Sequence, residues 1–222
     1  MTSRTRMKNP KVLAVLNQKG GSGKTTIAVN LAHAFQLQGN EVLLVDADPQ
    51  GTARDWSDSS EEGICPVIGI DRESLSRDLP NVAQPYDWVV VDGPPQLAGI
   101  SAAAVKVADV VLIPVQPSPY DIWSCADLVD ILDARQTVTD GLPHAAFVVS
   151  RAITNTKLSN QVSEALEAYG LPVLSSRTTQ RVAYPTTAAS GGTVFSEPGS
   201  PAVQEIEAIR EEVEAMLNDT AS

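Results

Sequence analysis

Short apolar runs alternate with longer amphipathic stretches along most of the chain. The clearest apolar runs, which predict β-strands, are residues 12–16, 42–46, 88–92, 110–114 and 147–150, and the weaker ones are 67–70 and 172–174. The amphipathic stretches predict helices at residues 25–38, 101–107, 121–139, 156–169 and 202–217. Continuous apolar strands are typical of parallel sheets that are covered on both faces. The pattern therefore predicts an α/β fold, with a single doubly wound, mainly parallel sheet and helices on both faces.

Length and composition narrow the class of protein. The 222 residues are 43% hydrophobic and 19% charged, which is ordinary for a globular protein and excludes a disordered or collagen-like chain. Because the sequence contains no linker or internal repeat, we expect one domain over residues 1–222, of which residues 1–10 are flexible. The apolar runs fall far short of the roughly 20 residues that span a bilayer, and no signal peptide is evident, so we expect a cytoplasmic protein. Two isolated cysteines, Cys65 and Cys125, support neither a disulfide scaffold nor a zinc site.

The first predicted strand is followed by a segment suited to bind phosphate. Residues 18–26 read Gln-Lys-Gly-Gly-Ser-Gly-Lys-Thr-Thr. Glycines let the backbone turn tightly and direct successive N–H groups at phosphate oxygens, and the helix that follows adds the positive end of its dipole. In this P-loop pattern Lys24 contacts the β- and γ-phosphates, and the Thr25 hydroxyl ligates magnesium. The alternative is a glycine-rich surface turn, and Gln18 stands where the general pattern has glycine.

Three aspartates end apolar strands at what should be the carboxyl edge of the sheet. Asp92 ends the strand at 88–92, and Asp46 and Asp48 end another run with a spacing that directs both to one face. A carboxylate at this edge can hold magnesium, usually through water, because this ion keeps much of its hydration shell. For each aspartate taken alone, a helix cap or a turn is the alternative explanation.

The phosphate-binding segment resembles the deviant Walker A motif of the ParA/MinD family of ATPases, in which a signature lysine, here Lys19, precedes two glycines. Residues 46–50, Asp-Ala-Asp-Pro-Gln, are similar to the switch I segment of this family, and residues 89–95 to its Walker B and switch II segment. With similar segments at 101–119 and 177–184, the resemblance covers most of the chain. The small ParA proteins that partition plasmids, such as ParF, fit best, because about ten residues before the first strand are too few for a helix-turn-helix domain.

The resemblance implies an ATPase that uses ATP and Mg²⁺ and forms a homodimer around the nucleotide. It assigns Lys19 to the phosphates of the partner copy and Asp48 to the attacking water. The implied catalytic residues are Lys19, Lys24 and Asp48, and the implied magnesium ligands are Thr25, Asp46 and Asp92. The implied nucleotide contacts are Lys19, Gly20, Gly21, Ser22, Gly23, Lys24, Thr25, Thr26, Pro117 and Arg177. This set suffices for hydrolysis, because phosphoryl transfer mainly requires positioning and charge stabilisation.

The same resemblance implies partition of plasmid or chromosomal DNA. Such ATPases bind nucleoid DNA without sequence preference and are stimulated by a ParB-like or small centromere-binding protein, so we expect a nucleoid-associated protein. The net charge of -11 argues against a wholly basic surface, but the span 151–190 carries four basic residues against two acidic ones. The DNA-binding candidates are Arg151, Lys157, Arg177 and Arg181. Scattered solvated cations are the alternative, because no sequence feature shows that these side chains converge.

Other functions remain open at this point. A related ATPase could position a protein cargo, such as a microcompartment or a chemoreceptor cluster, or assist conjugative transfer. A metabolic P-loop enzyme similar to dethiobiotin synthetase would have a related fold, but its loop normally carries threonines where this chain has Lys-Gly-Gly. Attachment to a membrane is not expected, since the polar face of the last predicted helix is acidic and membrane-surface helices carry basic residues there.

Overall fold

The computed structural model describes residues 9–60, 63–95, 98–153 and 157–218. Within these ranges the strands are β1 (Lys11–Val15), β2 (Val42–Asp46), β3 (Val67–Gly69), β4 (Trp88–Asp92), β5 (Val110–Val115), β6 (His144–Ala152) and β7 (Val173–Thr179). The helices are α1 (Lys24–Leu37), α2 (Thr52–Asp58), α3 (Leu75–Ala83), α4 (Ala98–Val107), α5 (Pro119–Trp123), α6 (Ala126–Val138), α7 (Lys157–Glu167), α8 (Ala183–Ala188) and α9 (Pro201–Asn218), with a 3-10 turn at Val194–Ser196. No helix within the described ranges is long and apolar enough to cross a membrane.

The seven strands form one parallel sheet in the order β3-β2-β4-β1-β5-β6-β7. The chain moves from β1 to one edge of the sheet, returns to β4 beside β1, and then builds β5, β6 and β7 on the other side. This reversal confirms the predicted doubly wound sheet. It also creates a crevice at the carboxyl end of β1, which is where open α/β sheets bind ligands.

The two faces of the sheet carry separate apolar cores. In β1, Leu13 and Val15 belong to the core that contains α1 and α9, and the intervening residues belong to the core that contains α3, α4 and α6. At the start of β4, Trp88 stacks on Phe35 of α1 with ring centroids 3.9 Å apart. Burial on both faces explains why the central strands are apolar at nearly every position.

The helix predicted at 121–139 is in fact two helices, α5 and α6, separated by a turn at Ser124 and Cys125. The Ser124 hydroxyl donates to the carbonyl of Asp121 at 2.7 Å, and the Cys125 thiol lies 3.3 Å from the same oxygen. In a continuous helix the Asp121 carbonyl would accept the Cys125 amide, but that amide donates to the carbonyl of Ile122. The two side chains take its place at Asp121. The hydrophobic pattern does not show this break, because a serine and a buried cysteine fit a helix face as well as a turn.

The strand predicted at 172–174 is longer than expected, because β7 continues through polar residues to Thr179. Arg177 therefore lies within β7, whereas the predicted strand 172–174 would end before it. The apolar pattern ends early because the polar residues of β7 are held by hydrogen bonds and not by apolar burial.

Two glutamates of α9 satisfy the outer amides of β7, which is an edge strand of the sheet. Glu212 accepts hydrogen bonds from the amides of Ser175 at 2.9 Å and Ser176 at 2.7 Å. Glu205 accepts one from the amide of Thr179 at 3.1 Å. Because unpaired edge amides invite pairing with another chain, these contacts protect the edge as well as docking α9.

The other predicted elements are confirmed with shifted ends, although Thr156, at the start of one predicted helix, lies outside the described residues. Residues 1–8 also lie outside them, and most of the predicted flexible segment 1–10 falls there. The short helices α2, α3 and α8 were not predicted. Pro80 in α3 and Pro185 in α8 weigh against a helix when the sequence is considered alone.

Candidate functional site

The phosphate loop lies between β1 and α1 at the carboxyl edge of the sheet. Gly21 and Gly23 have φ angles of +79° and +98°, in the left-handed region that favours glycine. The Ser150 hydroxyl of β6 donates to the carbonyl of Ser22 at 2.6 Å, and the Gln116 side chain after β5 donates to the carbonyl of Gly21 at 2.6 Å. These two bonds engage loop carbonyls, so they leave the loop amides for phosphate oxygens.

Lys24 begins α1 and closes the phosphate loop. Its ammonium donates to the carbonyl of Lys19 at 3.1 Å, and the side chain is buried. Burial lowers the pKa of Lys24 below its ordinary value, and the negative charges of Asp92 and Asp48 oppose that change. The ammonium therefore lies at the loop, within the influence of two of the predicted site carboxylates.

Asp92 and Thr25 form a pair that fits Mg²⁺. The Thr25 hydroxyl donates to Oδ2 of Asp92 at 2.7 Å, and Oδ1 of Asp92 is buried without a hydrogen-bond partner in the described part of the chain. Burial raises the pKa of Asp92 to about 7, against the hydrogen bond from Thr25, and the nearby charge of Asp46 adds to the rise. A buried carboxylate with an unpaired oxygen suits a hydrated Mg²⁺, because the cation would offset its desolvation.

The protein does not supply a complete metal cage at this site. The described residues contain no group of three or more His, Cys, Asp or Glu side chains that could hold a metal ion. Magnesium usually keeps several waters and binds through one or two carboxylates together with substrate phosphates. The donor set around Asp92 and Thr25 agrees with that mode of binding.

Asp46 ends β2 directly beside Asp92, its register partner on β4. Its Oδ1 accepts the amide of Asp48 at 3.0 Å, and its Oδ2 accepts both the amide of Arg54 at 3.0 Å and the Arg54 Nε at 3.3 Å. The Asp48 carboxylate in turn accepts the amide of Gln50 at 2.9 Å. Both aspartates thus have the cap and turn contacts that were the alternative to a site role. Since both oxygens of Asp46 are engaged, Asp92 is the better magnesium contact of the two.

The Lys19 backbone is anchored while its side chain is exposed. The Lys19 amide donates to the side-chain oxygen of Asn17 at 2.9 Å, and the Asn17 side-chain amide donates to the carbonyl of Pro114 at 2.7 Å. These hydrogen bonds fix the Lys19 backbone and leave its ammonium accessible to a second molecule.

A cavity of about 690 Å³ opens beside the phosphate loop. Gly23 and Thr26 line one side of it, and the carboxyl ends of β6 and β7 line the other. Its position and size suit the nucleoside part of a bound nucleotide. The members of the segment 177–184 that line the cavity are Thr178, Thr179, Gln180, Arg181, Val182 and Tyr184. The structure does not bring Arg177 or Pro117 to the cavity lining.

Glu205 of α9 holds the wall of this cavity in place. Its carboxylate is 11% exposed and accepts the amide and hydroxyl of Thr179 at 3.1 and 2.6 Å, the Arg181 Nε at 2.8 Å and the Tyr184 hydroxyl at 2.8 Å. Sequence reasoning missed this residue because it considered the glutamates of the last helix only as an acidic polar face. No local signal distinguishes Glu205, since its contacts depend on α9 lying along β7.

The predicted DNA-binding residues have different surroundings in the structure. Arg151 and Arg181 line the cavity beside the phosphate loop, and Arg181 is paired with Glu205. Arg177 is half-buried in β7. Lys157 begins α7, but its side chain lies outside the part that the structure describes. Binding of DNA by these residues stays a prediction.

A parallel sheet with a glycine-rich phosphate loop after β1 and a buried carboxylate at the end of β4 defines a P-loop nucleotide-binding protein. The chain matches the family model of the CobQ/CobB/MinD/ParA nucleotide binding domain over residues 13–194 and belongs to this family. It is a ParA/MinD-type ATPase that uses ATP and Mg²⁺. The predicted family, enzyme class and cofactors are thereby confirmed.

Individual relatives cover almost the whole chain. It is 35% identical over 208 residues to maintenance of carboxysome distribution protein A of Halothiobacillus neapolitanus, covering 90% of this chain and 95% of that protein. It is 29% identical over 240 residues to the chromosome-partitioning ATPase Soj of Thermus thermophilus, covering 93% and 96% respectively. The structure of apo McdA from Cyanothece shares the fold with a TM-score of 0.73 at 20% identity, covering 94% of this chain and 100% of that one.

Removal of the Asp92 charge tests the magnesium site. The variant Asp92→Asn should weaken Mg²⁺ binding to the nucleotide complex by about 10- to 100-fold, because a neutral amide orients the hydration shell less well. The melting temperature of the nucleotide-free protein should not fall, since the change removes a poorly compensated buried charge. Calorimetric titration with Mg²⁺ and a thermal melt measure the two effects. The control is Asp133→Asn, an exposed carboxylate on α6, and equal Mg²⁺ affinity in both variants would contradict the assignment.

The role of Glu205 in the cavity wall can be separated from the phosphate loop. Because Glu205→Gln replaces one acceptor oxygen with a donor NH2 group and removes the charge that pairs with Arg181, it should weaken ATP and ADP binding by about tenfold. Binding of inorganic tripolyphosphate, which needs only the loop, should not change. Competition against a fluorescent nucleotide measures all three affinities. Glu212→Gln is the matched control, because Glu212 also binds β7 but at the end away from the cavity. The assignment is wrong if both variants weaken ATP equally or if tripolyphosphate binding falls with Glu205→Gln.

Proposed function

We propose that this ATPase positions a protein cargo, a large assembly of the microcompartment kind, along the nucleoid. The observation that carries the proposal is the near full-length similarity to a carboxysome distribution protein, at higher identity than to the partition ATPase Soj. The sequence alone favoured DNA partition and left cargo positioning as the alternative, and the comparison favours that alternative. Both functions use the same ATP-driven machinery, so the roles of the site residues do not depend on which cargo is moved.

In the proposed reaction the loop amides and Lys24 hold the β- and γ-phosphates, and the cavity beside Gly23 holds the nucleoside. Bound Mg²⁺ would neutralise phosphate charge, with Thr25 as a ligand and Asp92 acting through water. Asp48 orients the attacking water from the neighbouring strand end. Each group contributes position or charge, which is what phosphoryl transfer requires of a protein.

We infer that ATP joins two copies of the chain face to face at the phosphate loop, with Lys19 of each copy on the phosphates of the other. The exposed Lys19 side chain supports this arrangement. A second support is an aromatic pair on α5, at the same edge of the sheet, in which Tyr120 is 73% and Trp123 is 64% exposed. Large exposed aromatics are enriched at protein interfaces, because their burial is strongly favourable.

We propose that the ATP dimer binds nucleoid DNA without sequence preference and that the nucleoid is the surface along which the cargo is positioned. Arg151, Lys157, Arg177 and Arg181 are the candidates for phosphate contacts, and one of them, Arg181, is paired with Glu205. A dimer doubles the number of phosphates that a modest patch can neutralise, and it makes the affinity steeply dependent on salt. The partner that stimulates hydrolysis would then be a ParB-like adaptor that links the ATPase to its cargo.

The variant Lys19→Ala tests the dimer. ADP affinity should stay close to that of the wild type, because Lys24 and the loop amides still hold those phosphates. ATP-dependent dimerisation should fail, and with it hydrolysis and ATP-dependent DNA binding, because each of them needs the contact between copies. Light scattering with ADP, ATP and a non-hydrolysable analogue measures dimerisation. An electrophoretic mobility-shift assay at rising salt concentration measures the binding of DNA.

The charge-matched control for Lys19 is Lys106→Ala. Lys106 is an exposed lysine at the end of α4, near the opposite edge of the sheet, and its loss should change neither dimerisation nor hydrolysis. The dimer model is wrong if wild type stays monomeric with the analogue or if Lys19→Ala dimerises as well as Lys106→Ala does.

Deletion of the gene in the source organism tests the cargo. The assembly that co-purifies with the ATP-bound protein should lose its regular spacing and collect at one site in the cell, while plasmids and chromosomes are still inherited. Fluorescence microscopy of the tagged assembly and a plasmid-retention assay measure the two outcomes. Loss of plasmids with normally spaced assemblies would instead establish DNA partition.

A further inference from the structure

Arg54, in the first turn of α2, contacts both aspartates of the switch I segment (residues 46–50). Its Nε lies 3.3 Å from Oδ2 of Asp46, and its Nη2 donates to the carbonyl of Asp48 at 3.0 Å. Nη2 also lies 3.3 Å from Oδ2 of Asp71, beyond the end of β3. One guanidinium therefore ties the ends of β2 and β3 to α2.

The backbone around Arg54 is shaped to admit its side chain. A Cβ atom at Gly69 would lie 2.8 Å from Arg54 Nη1, and one at Gly51 would lie 3.3 Å from its Nε. Gly51 also has a φ of +73°, in the left-handed region. A larger residue at Gly69 would push the guanidinium out of its present position. Arg54 can therefore lie where it does because residue 69 is a glycine.

Asp48 depends on the conformation that Arg54 holds. The Asp48 amide donates to Asp46, its carbonyl accepts from Arg54 and from the Gly51 amide, and its carboxylate accepts from the Gln50 amide. Of these contacts, the one from Arg54 is a side-chain bond from outside the segment. The segment lies at the surface of the phosphate site, because the charge of Asp48 acts on both Lys24 and Asp92.

Arg54 also gives two neighbouring buried carboxylates different hydrogen-bond partners. Asp46 and Asp92 are register partners on adjacent strands, and both are fully buried. Pairing with Arg54 engages Asp46, which leaves Asp92 as the carboxylate with an unpaired oxygen. Without the guanidinium, Asp46 would lose its cationic partner beside a site where phosphate and Mg²⁺ charges meet.

We propose that Arg54 is a positioning residue for ATP hydrolysis, which holds switch I so that Asp48 faces the phosphates. This inference rests on the proposed role of Asp48 in orienting water. Arg54 does not touch the phosphate loop, so its loss should change the rate of the chemical step and not the affinity for nucleotide. A displacement of about 1 Å at a positioning group can lower a rate by about 100-fold.

The experiment compares Arg54→Gln and Arg54→Lys with wild type. Both variants keep the backbone amide of residue 54, which donates to Oδ2 of Asp46 at 3.0 Å, so the first turn of α2 keeps this hydrogen bond. Arg54→Gln should lower kcat by at least about tenfold with ATP and ADP affinities unchanged. Arg54→Lys should recover part of the loss, because an ammonium can reach one of the two acceptors but does not match the fork of the guanidinium.

Two further measurements show that the effect comes through the guanidinium. In Arg54→Ala, added ethylguanidinium should restore part of kcat, whereas ethylammonium at the same concentration should restore less, and neither should accelerate wild type. Arg77→Gln is the matched control: Arg77 is an exposed arginine of α3, 3.1 Å from Asp78, and its loss should leave kcat unchanged.

The variant Asp48→Ala separates failure of this inference from failure of the site assignment. If Asp48→Ala hydrolyses ATP normally, the proposed role of Asp48 is wrong. If Asp48→Ala is inactive while Arg54→Gln has the kcat of wild type, the role of Arg54 alone is overturned. A loss of nucleotide affinity as large as the loss of kcat, or no recovery by Arg54→Lys, would also overturn it.

Discussion

Negative charge at the carboxyl edge of the sheet is the constraint around which this site is built. Asp46 and Asp92 end adjacent strands at the same register and are fully buried, so that each needs a compensating partner. Asp46 has Arg54 from α2, and Asp92 has the Thr25 hydroxyl and the nearby charge of Lys24. Of the two, Asp92 keeps an oxygen without a hydrogen-bond partner in the described part of the chain, and such an oxygen suits a hydrated Mg²⁺.

A second set of carboxylates accepts hydrogen bonds on the other side of the nucleotide site. Glu205 and Glu212 of α9 bind the amides of β7, so the acidic last helix closes the sheet edge and supports the cavity wall at once. The acidic face that argued against membrane attachment therefore has a structural function of its own. The phosphate loop is likewise held from outside, by Ser150 of β6 and by Gln116 just after β5, both distant in sequence.

The proposed cycle follows from how these parts are shared between copies. In this proposal Lys24, Thr25 and Asp92 bind the nucleotide within one chain, whereas the exposed Lys19 contacts the nucleotide of a second chain. Arg54 links the switch I segment to α2 and to Asp71 beyond β3, and our proposal is that this contact sets the position of Asp48 for hydrolysis.

The sequence by itself determined the sheet, the phosphate loop and the family, because strong apolar strands and a glycine-rich loop before a helix are local patterns. It located Lys24, Thr25 and Asp92 correctly at strand and helix ends, since topology brings those ends together. Only the tertiary structure decided the parts that depend on packing between distant elements. The break at Ser124, the polar length of β7, and the contacts of Arg54 and Glu205 belong to this second group, because a side chain's partner is chosen by the elements that pack beside it and not by its neighbours in the chain.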